Sequence, residues 1–171
     1  MSKMTYKMST ATKHKTILAC DPGYDRLGVA VLSGSVHESE LLFSTCLQTN
    51  KEETLSQRLA QLHAELLTFV KKYKPDAIAV EKLFFSTNNK KSALSVAESR
   101  GMILALAGIH GIPVLEHSPQ EVKMAVTGYG SASKKDVQDM TRRLIKGIYP
   151  KALDDEYDAV ALSICALASH K

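Results

Sequence analysis

Cysteine is scarce in this 171-residue chain: Cys20, Cys46 and Cys165 are odd in number, far apart and without a C-x-x-C spacing. That excludes a disulfide framework and a zinc ribbon and points to an intracellular protein. Long apolar runs are missing as well. The longest uncharged stretch, residues 101–115, is broken by His110 and Pro113 and falls short of the ~20 residues that span a bilayer, so no membrane association is expected. No H-E-x-x-H occurs among the six histidines, and neither repeats nor a linker divide the chain; one domain is expected. The first fifteen residues lack arginine and an apolar core, against a transit peptide or a secretory signal.

Charge of one sign is only mildly in excess. Lys and Arg number 22 against 18 acids, yet Lys3, Lys7, Lys13 and Lys15 supply the whole +4 within an acid-free stretch. The sequence pI of about 8.9 is therefore weak evidence for a nucleic-acid partner. From Lys82 to Lys146 ten basic residues stand against five acids, a basic patch or simply a solvated helix face.

Residues 1–15 show no apolar period and read as a basic, flexible tail; the remaining 16–171 read as one domain. Three apolar runs, 16–21, 27–32 and 41–47, are separated by Asp21-Pro22-Gly23 and Gly34-Ser35 turns and predict an antiparallel meander. Leu55, Leu59, Leu62, Leu66 and Val70 then mark a helix ending before Pro75. A strand at 77–81, a polar loop at 86–89, a helix at about 92–110 and a strand at 112–115 follow. Ser118-Pro119-Gln120-Glu121 is a capping box with proline at the first helical position. Ser133 caps a further helix closed by Pro150, and a last helix runs over about 154–168. The order implies an α/β fold with a mixed sheet and helices on both faces.

Two of the strands end in acids, Asp21 and Glu81, and the last helix opens on Asp154, Asp155, Glu156 and Asp158. Ligand sites of open α/β sheets lie at the carboxyl ends of strands, and residues three apart share a helix face. Asp21, Glu81, Asp155 and Asp158 can thus converge, and such a group needs a hard cation to offset its repulsion. Each acid also has a plainer reading: Asp21 as turn former, Glu81 as exposed strand end, the helical acids as partners of the helix dipole.

Taken together these residues resemble the RuvC family of Holliday-junction resolvases. The likeness rests on Ile-Leu-Ala-Cys-Asp-Pro-Gly at 17–23 with Gly28, and on Ala79-Val80-Glu81-Lys82-Leu83-Phe84. Asn88-Asn89, Ser92-Ala93-Leu94, Ser99-Arg100-Gly101, Val122-Lys123, the 128–134 glycine-rich loop and Asp155 to Ala159 continue it. It covers about residues 16–168; the basic tail and Cys20 before the acid depart from it.

The resemblance implies a ribonuclease H-like fold, a five-stranded mixed sheet flanked by helices, working as a homodimer. Asp21, Glu81, Asp155 and Asp158 would be catalytic metal ligands for two Mg²⁺ ions, replaceable by Mn²⁺, and Lys123 and Lys134 would neutralise the scissile phosphate. Phe84 would stack on an unpaired base, with Lys82, Lys90, Lys91 and Arg100 as further DNA contacts. The implied activity is symmetric hydrolysis of four-way junction DNA to 5′-phosphate nicks in recombination and repair, beside a RuvA–RuvB branch-migration complex, in a cytoplasmic, nucleoid-associated setting.

Plainer readings remain for the lysines as solvent-facing and for Asp154 and Glu156 as cap and surface. Either Phe84 or Phe85 would be the exposed ring of its pair. Ala93, Ala97, Gly101, Ala105 and Gly108 would line a dimer interface or pack on the sheet. Three rival functions are a related nuclease of ribosomal RNA precursors, a nucleotide-binding module of the actin and sugar-kinase kind, and a non-catalytic DNA-binding relative.

Overall fold

A computed structural model describes residues 15–35, 38–83, 90–148 and 151–169, with the backbone alone for 90–93. Strands β1 (Lys15–Asp21), β2 (Arg26–Gly34) and β3 (Ser39–Gln48) form the expected antiparallel meander. Helix α1 (Leu55–Tyr73) starts at a Thr54–Gln57 capping box and carries the chain back, so β4 (Ala77–Glu81) pairs parallel to β1. After α2 (Lys90–Ile109), β5 (Val114–His117) adds parallel to β4. The sheet order is β3-β2-β1-β4-β5. Helices α3 (Pro119–Thr127), α4 (Lys134–Leu144) and α5 (Asp154–Ser169) complete the chain.

Alternation along β1 splits the core. Leu18 and Cys20 face α1 and α2 together with Val29, Val31, Ile78 and Val80; Ile17 and Ala19 face α5 with Ala30, Leu32, Ala77 and Ala79. Four alanines on the second face let α5 lie close to the sheet, while α3 and α4 pack outside it around Val126, Val137 and Ala161. Each fully buried aliphatic side chain in these layers contributes roughly 1.5–3 kcal/mol. Among the described residues no helix is long and apolar enough to cross a membrane.

Several boundaries differ from expectation. Lys15 belongs to β1, opposite Gly34, and residues 1–14 of the expected tail lie outside the described residues. The fifth strand runs over Val114–His117 rather than 112–115, because its parallel pairing with β4 aligns Glu81 with His117, and the Ile112 amide is spent on the Ala107 carbonyl in closing α2. The helix capped by Ser133 ends at Leu144, short of Pro150, which lies outside the described residues. There Ile145 turns extended and buries itself among Ile17, Ala19 and Ala159.

Candidate active site

Asp21 ends β1 opposite Gly28 of β2, and Glu81 ends β4 opposite His117 of β5. The β1–β4 ladder itself stops one residue earlier, at Cys20 and Val80, so the two acids flank a fork between adjacent strands. Into this fork comes the first turn of α5. Gly28 makes that approach possible: a Cβ there would sit 1.8 Å from the Asp155 carbonyl oxygen and 3.3 Å from the Ala159 Cβ. Only a residue without a side chain lets α5 start directly over β2 and aim Asp158 at the fork.

Asp21, Glu81 and Asp158 line one cavity of about 200 Å³, together with Lys123 and Lys134. Asp155 stands at its side, paired with Arg26 at 3.2 Å and 4.0 Å from the Cys46 Sγ, which donates to it. Burial, then the charges of Asp158, Glu81 and Asp155, raise the Asp21 carboxyl well above the usual carboxylate range, against the opposing pull of Lys134. Glu81 is raised by burial and by Asp158. Burial also raises Asp158, although Lys134 works against it. Lys134 reaches Asp158 at 3.0 Å and Asp154 at 3.4 Å. Burial would lower its ammonium, but hydrogen bonds and charges from these two acids outweigh that and hold it above the ordinary lysine value.

Among the described residues no three His, Cys, Asp or Glu side chains stand close enough to hold a metal ion as they are. Asp158 is turned to Lys134 and Asp155 to Arg26. The donor set is nevertheless that of a hard cation: oxygen only, partly buried, with four carboxylates against the three cations Arg26, Lys123 and Lys134.

The remaining expected contacts fall into three groups. Lys82 is exposed and pairs with Glu121 at 3.5 Å. Phe84 and Phe85 lie outside the described residues, and Lys90 and Lys91 open α2 with nothing described of their side chains. Arg100 faces the protein: its side chain is 16% exposed, ion-paired to Glu116, and its Nε donates to the Glu81 carbonyl at 3.3 Å. Asp154 is exposed, as a cap would be, but Glu156 is only 7% exposed. It accepts a hydrogen bond from Ser44 Oγ at 2.5 Å, tying α5 to β3.

Some groups support the site in ways the sequence did not announce. Arg58 of α1, 6% exposed, pairs with Asp25, donates to the Tyr24 carbonyl at 3.1 Å and to Thr49 Oγ1 at 2.8 Å, and stacks over the Tyr24 ring. Buried Ser99 donates to the Gly23 carbonyl at 3.1 Å. The turn after Asp21 is thus held from two helices, through partners 34 and 76 residues away. His117 is buried and within 3.3 Å of Ser169 Oγ.

Residues 17–166 match the family model for crossover junction endodeoxyribonuclease RuvC. A protein of that name from Pseudothermotoga lettingae is 43% identical over 152 residues, 89% of this chain and 93% of the relative. Among solved structures, Thermus thermophilus RuvC in complex with Holliday junction substrate is similar, with a TM-score of 0.81 and 29% identity over 88% of this chain and 92% of that one. The yeast mitochondrial Holliday junction resolvase Ydc2, at 17% identity and a TM-score of 0.64 over 90% of this chain and 78% of that one, shares the fold.

Proposed function

The chain belongs to the RuvC family of crossover junction endodeoxyribonucleases, and from that premise we propose that Asp21, Glu81, Asp155 and Asp158 are its catalytic carboxylates. The activity is that of the family: hydrolysis of phosphodiester bonds in four-way junction DNA, in recombination and repair. One observation carries the assignment of residues. Three acids from β1, β4 and α5 line a single cavity with two lysines, and the fourth acid stands beside Asp21 closely enough to raise its carboxyl.

Each side chain has a task there. Lys123 and Lys134 present ammonium groups to the phosphate oxygens of a strand entering the cavity, where charge builds as the bond breaks. Asp154 and Asp158 hold the Lys134 Nζ ready before DNA arrives. The four carboxylates would hold two divalent ions, Mg²⁺ with Mn²⁺ as substitute, which when bound supply Lewis acidity at the scissile phosphate and lower the pKa of the attacking water. Arg26 and Lys134 neutralise the same carboxylates while no ion is bound. Phe84 stacks on an unpaired base, and Lys82, Lys90 and Lys91 add phosphate contacts.

The protein acts as a homodimer. Along α2, Ser99, Ile103, Leu106 and Ala107 are buried, while Leu94, Gly101, Ala105, Gly108 and Ile109 are exposed. A Cβ on Gly101 or Gly108 would meet nothing within 4 Å, so Gly101, Ala105 and Gly108 of the small-residue stripe face away from their own subunit. An isologous pair places two sites on opposed strands of a near two-fold junction. A RuvA–RuvB complex as partner and a cytoplasmic, nucleoid-associated setting complete the proposal.

Cleavage of a synthetic four-way junction by the wild-type chain and by Asp21→Asn tests it. Metal-dependent paired nicks, absent in the variant while binding persists, are expected. Equal cleavage by Asp21→Asn would remove Asp21 from the catalytic set.

A further inference from the structure

We propose that the outer face of α4, with Lys146 and Lys151 beyond its end, is a second DNA contact: a phosphate track that carries one duplex arm of the junction past the active site. The inference rests on the junction-cleaving reading above. Residues 134–151 hold six basic residues, Lys134, Lys135, Arg142, Arg143, Lys146 and Lys151, against two acids. Both acids already have partners on the helix itself. Asp136 accepts from the Ser133 amide at 3.0 Å and from its hydroxyl at 2.6 Å, and Asp139 pairs with Arg142 at 3.3 Å.

The track is continuous with the active site. Lys134 meets Asp158, Gln138 donates to Asp154 at 3.1 Å, and Arg142 donates to the Tyr157 hydroxyl at 3.0 Å. Two turns of α4 are therefore laid over residues 154–158, the stretch that supplies two of the acids. At 1.5 Å per residue, Arg142 lies ~12 Å along the helix from Lys134, the axial rise of about three to four base pairs of a duplex. Lys151 is three residues from Asp154, hence within ~10 Å of it.

Helix-dipole compensation accounts for only part of this charge. It explains Arg142 and Arg143 in the last turn, but the effect fades beyond that turn and leaves Lys146 and Lys151 unexplained. Arg143, Lys146 and Lys151 are exposed, and none has an ion-pair partner among the described residues. Arg142 is already ordered by stacking on Tyr157, with its guanidinium 4.6 Å from the ring centre. Half of its side chain is open to solvent, so it binds phosphate with little further loss of freedom. Adjacency to the site where a phosphate must lie favours a nucleic-acid backbone over an acidic protein as the occupant.

The test is equilibrium binding of a synthetic four-way junction in EDTA, where cleavage is off, from about 50 to 200 mM salt. Each phosphate contact contributes about 0.9 to the slope of log affinity against log salt. Arg143→Gln/Lys146→Gln/Lys151→Gln should make the slope shallower by about two to three, with the cleavage rate at saturating junction unchanged. Lys71→Gln/Lys72→Gln, at the exposed end of α1 on the other face of the sheet, should leave the slope as in wild type. If the triple variant fails to fold, Lys146→Gln/Lys151→Gln, outside any helix, should still lower it by one to two. A wild-type slope in the folded variants, or an equal change in the α1 control, overturns the track while leaving the junction reading in place. A wild-type chain that binds no junction overturns that reading and the track with it.

Discussion

Arg100 donates from its Nε to the backbone carbonyl of Glu81 at 3.3 Å, and the residue before it, Ser99, donates to the Gly23 carbonyl at 3.1 Å. Consecutive residues of one helix thus hold the two strand ends that carry Asp21 and Glu81. The β1–β4 ladder has already ended there, and the two carboxylates repel. The clamp from α2 opposes their separation.

Removing it should loosen the metal site more than the fold. Arg100→Gln is expected to weaken Mn²⁺ binding by about 10-fold, the lower end of the effect of losing an outer-shell partner. Junction affinity in EDTA should stay near wild type, with partial rescue in Arg100→Lys. Manganese titration followed by electron paramagnetic resonance reads this directly. Unchanged manganese affinity with weakened junction binding would make Arg100 a DNA contact instead.

Gly28→Ala should lower unfolding free energy by at least ~1–3 kcal/mol, the usual penalty of overpacking, because its Cβ meets the Asp155 carbonyl at 1.8 Å. Cleavage should fall as well, since α5 is pushed off the fork. Urea denaturation beside a cleavage assay checks both, and a wild-type result in the two would contradict the packing described here.

Asp21→Asn should abolish cleavage and at the same time raise the melting temperature of the metal-free chain. The folded state holds the Asp21 carboxyl well above its ordinary value, so ionisation there is unfavourable to folding. That stabilising share is fully present below the unfolded value near 4 and is lost as pH rises through the raised folded value. In metal-free wild type, stability should therefore decline over that window, and less so in the variant. Thermal melts across pH in EDTA measure it; a less stable Asp21→Asn would mean that the acid is structural.

Much of this architecture was legible in local pattern. The capping boxes at Ser118 and Ser133 start helices where expected, and strand-terminal Asp21 and Glu81 meet because parallel neighbours end together. Helix ends were less legible: α4 stops at Leu144 because Ile145 has a place in the core, a tertiary reason invisible to periodicity. Arg58 carried no signal in sequence, and the resemblance that included Ser99 and Arg100 gave no sign of their role as supports. All three act through backbone carbonyls, 34, 76 and 19 residues away, a tertiary role that no local pattern announces. Glu156, read as surface beside Asp154 as cap, is buried against Ser44 because the start of α5 faces β3 as well as solvent.

Gly101→Glu should split the proposed dimer without harming the subunit. Its Cβ meets nothing within 4 Å, and replacing glycine inside a helix favours that helix by a few tenths to ~1 kcal/mol. Analytical ultracentrifugation and a thermal melt are the readouts. A dimer that persists in the variant would move the interface away from α2.

Lys134→Ala should slow cleavage at saturating junction by 10-fold or more while changing junction affinity far less, because one ammonium at the scissile phosphate matters most as charge develops there. Single-turnover cleavage beside binding in EDTA separates the two. A larger change in binding than in rate would place Lys134 among ground-state contacts.

Most direct is cleavage of a labelled four-way junction with Mg²⁺, run beside linear duplex and RNA–DNA hybrid. Paired symmetric nicks in the junction alone, dependent on metal and on Asp21, Glu81, Asp155 and Asp158 in turn, are expected. Cutting of the hybrid instead, or tight junction binding with no cutting under any divalent metal, would contradict the assignment of this carboxylate site to junction resolution.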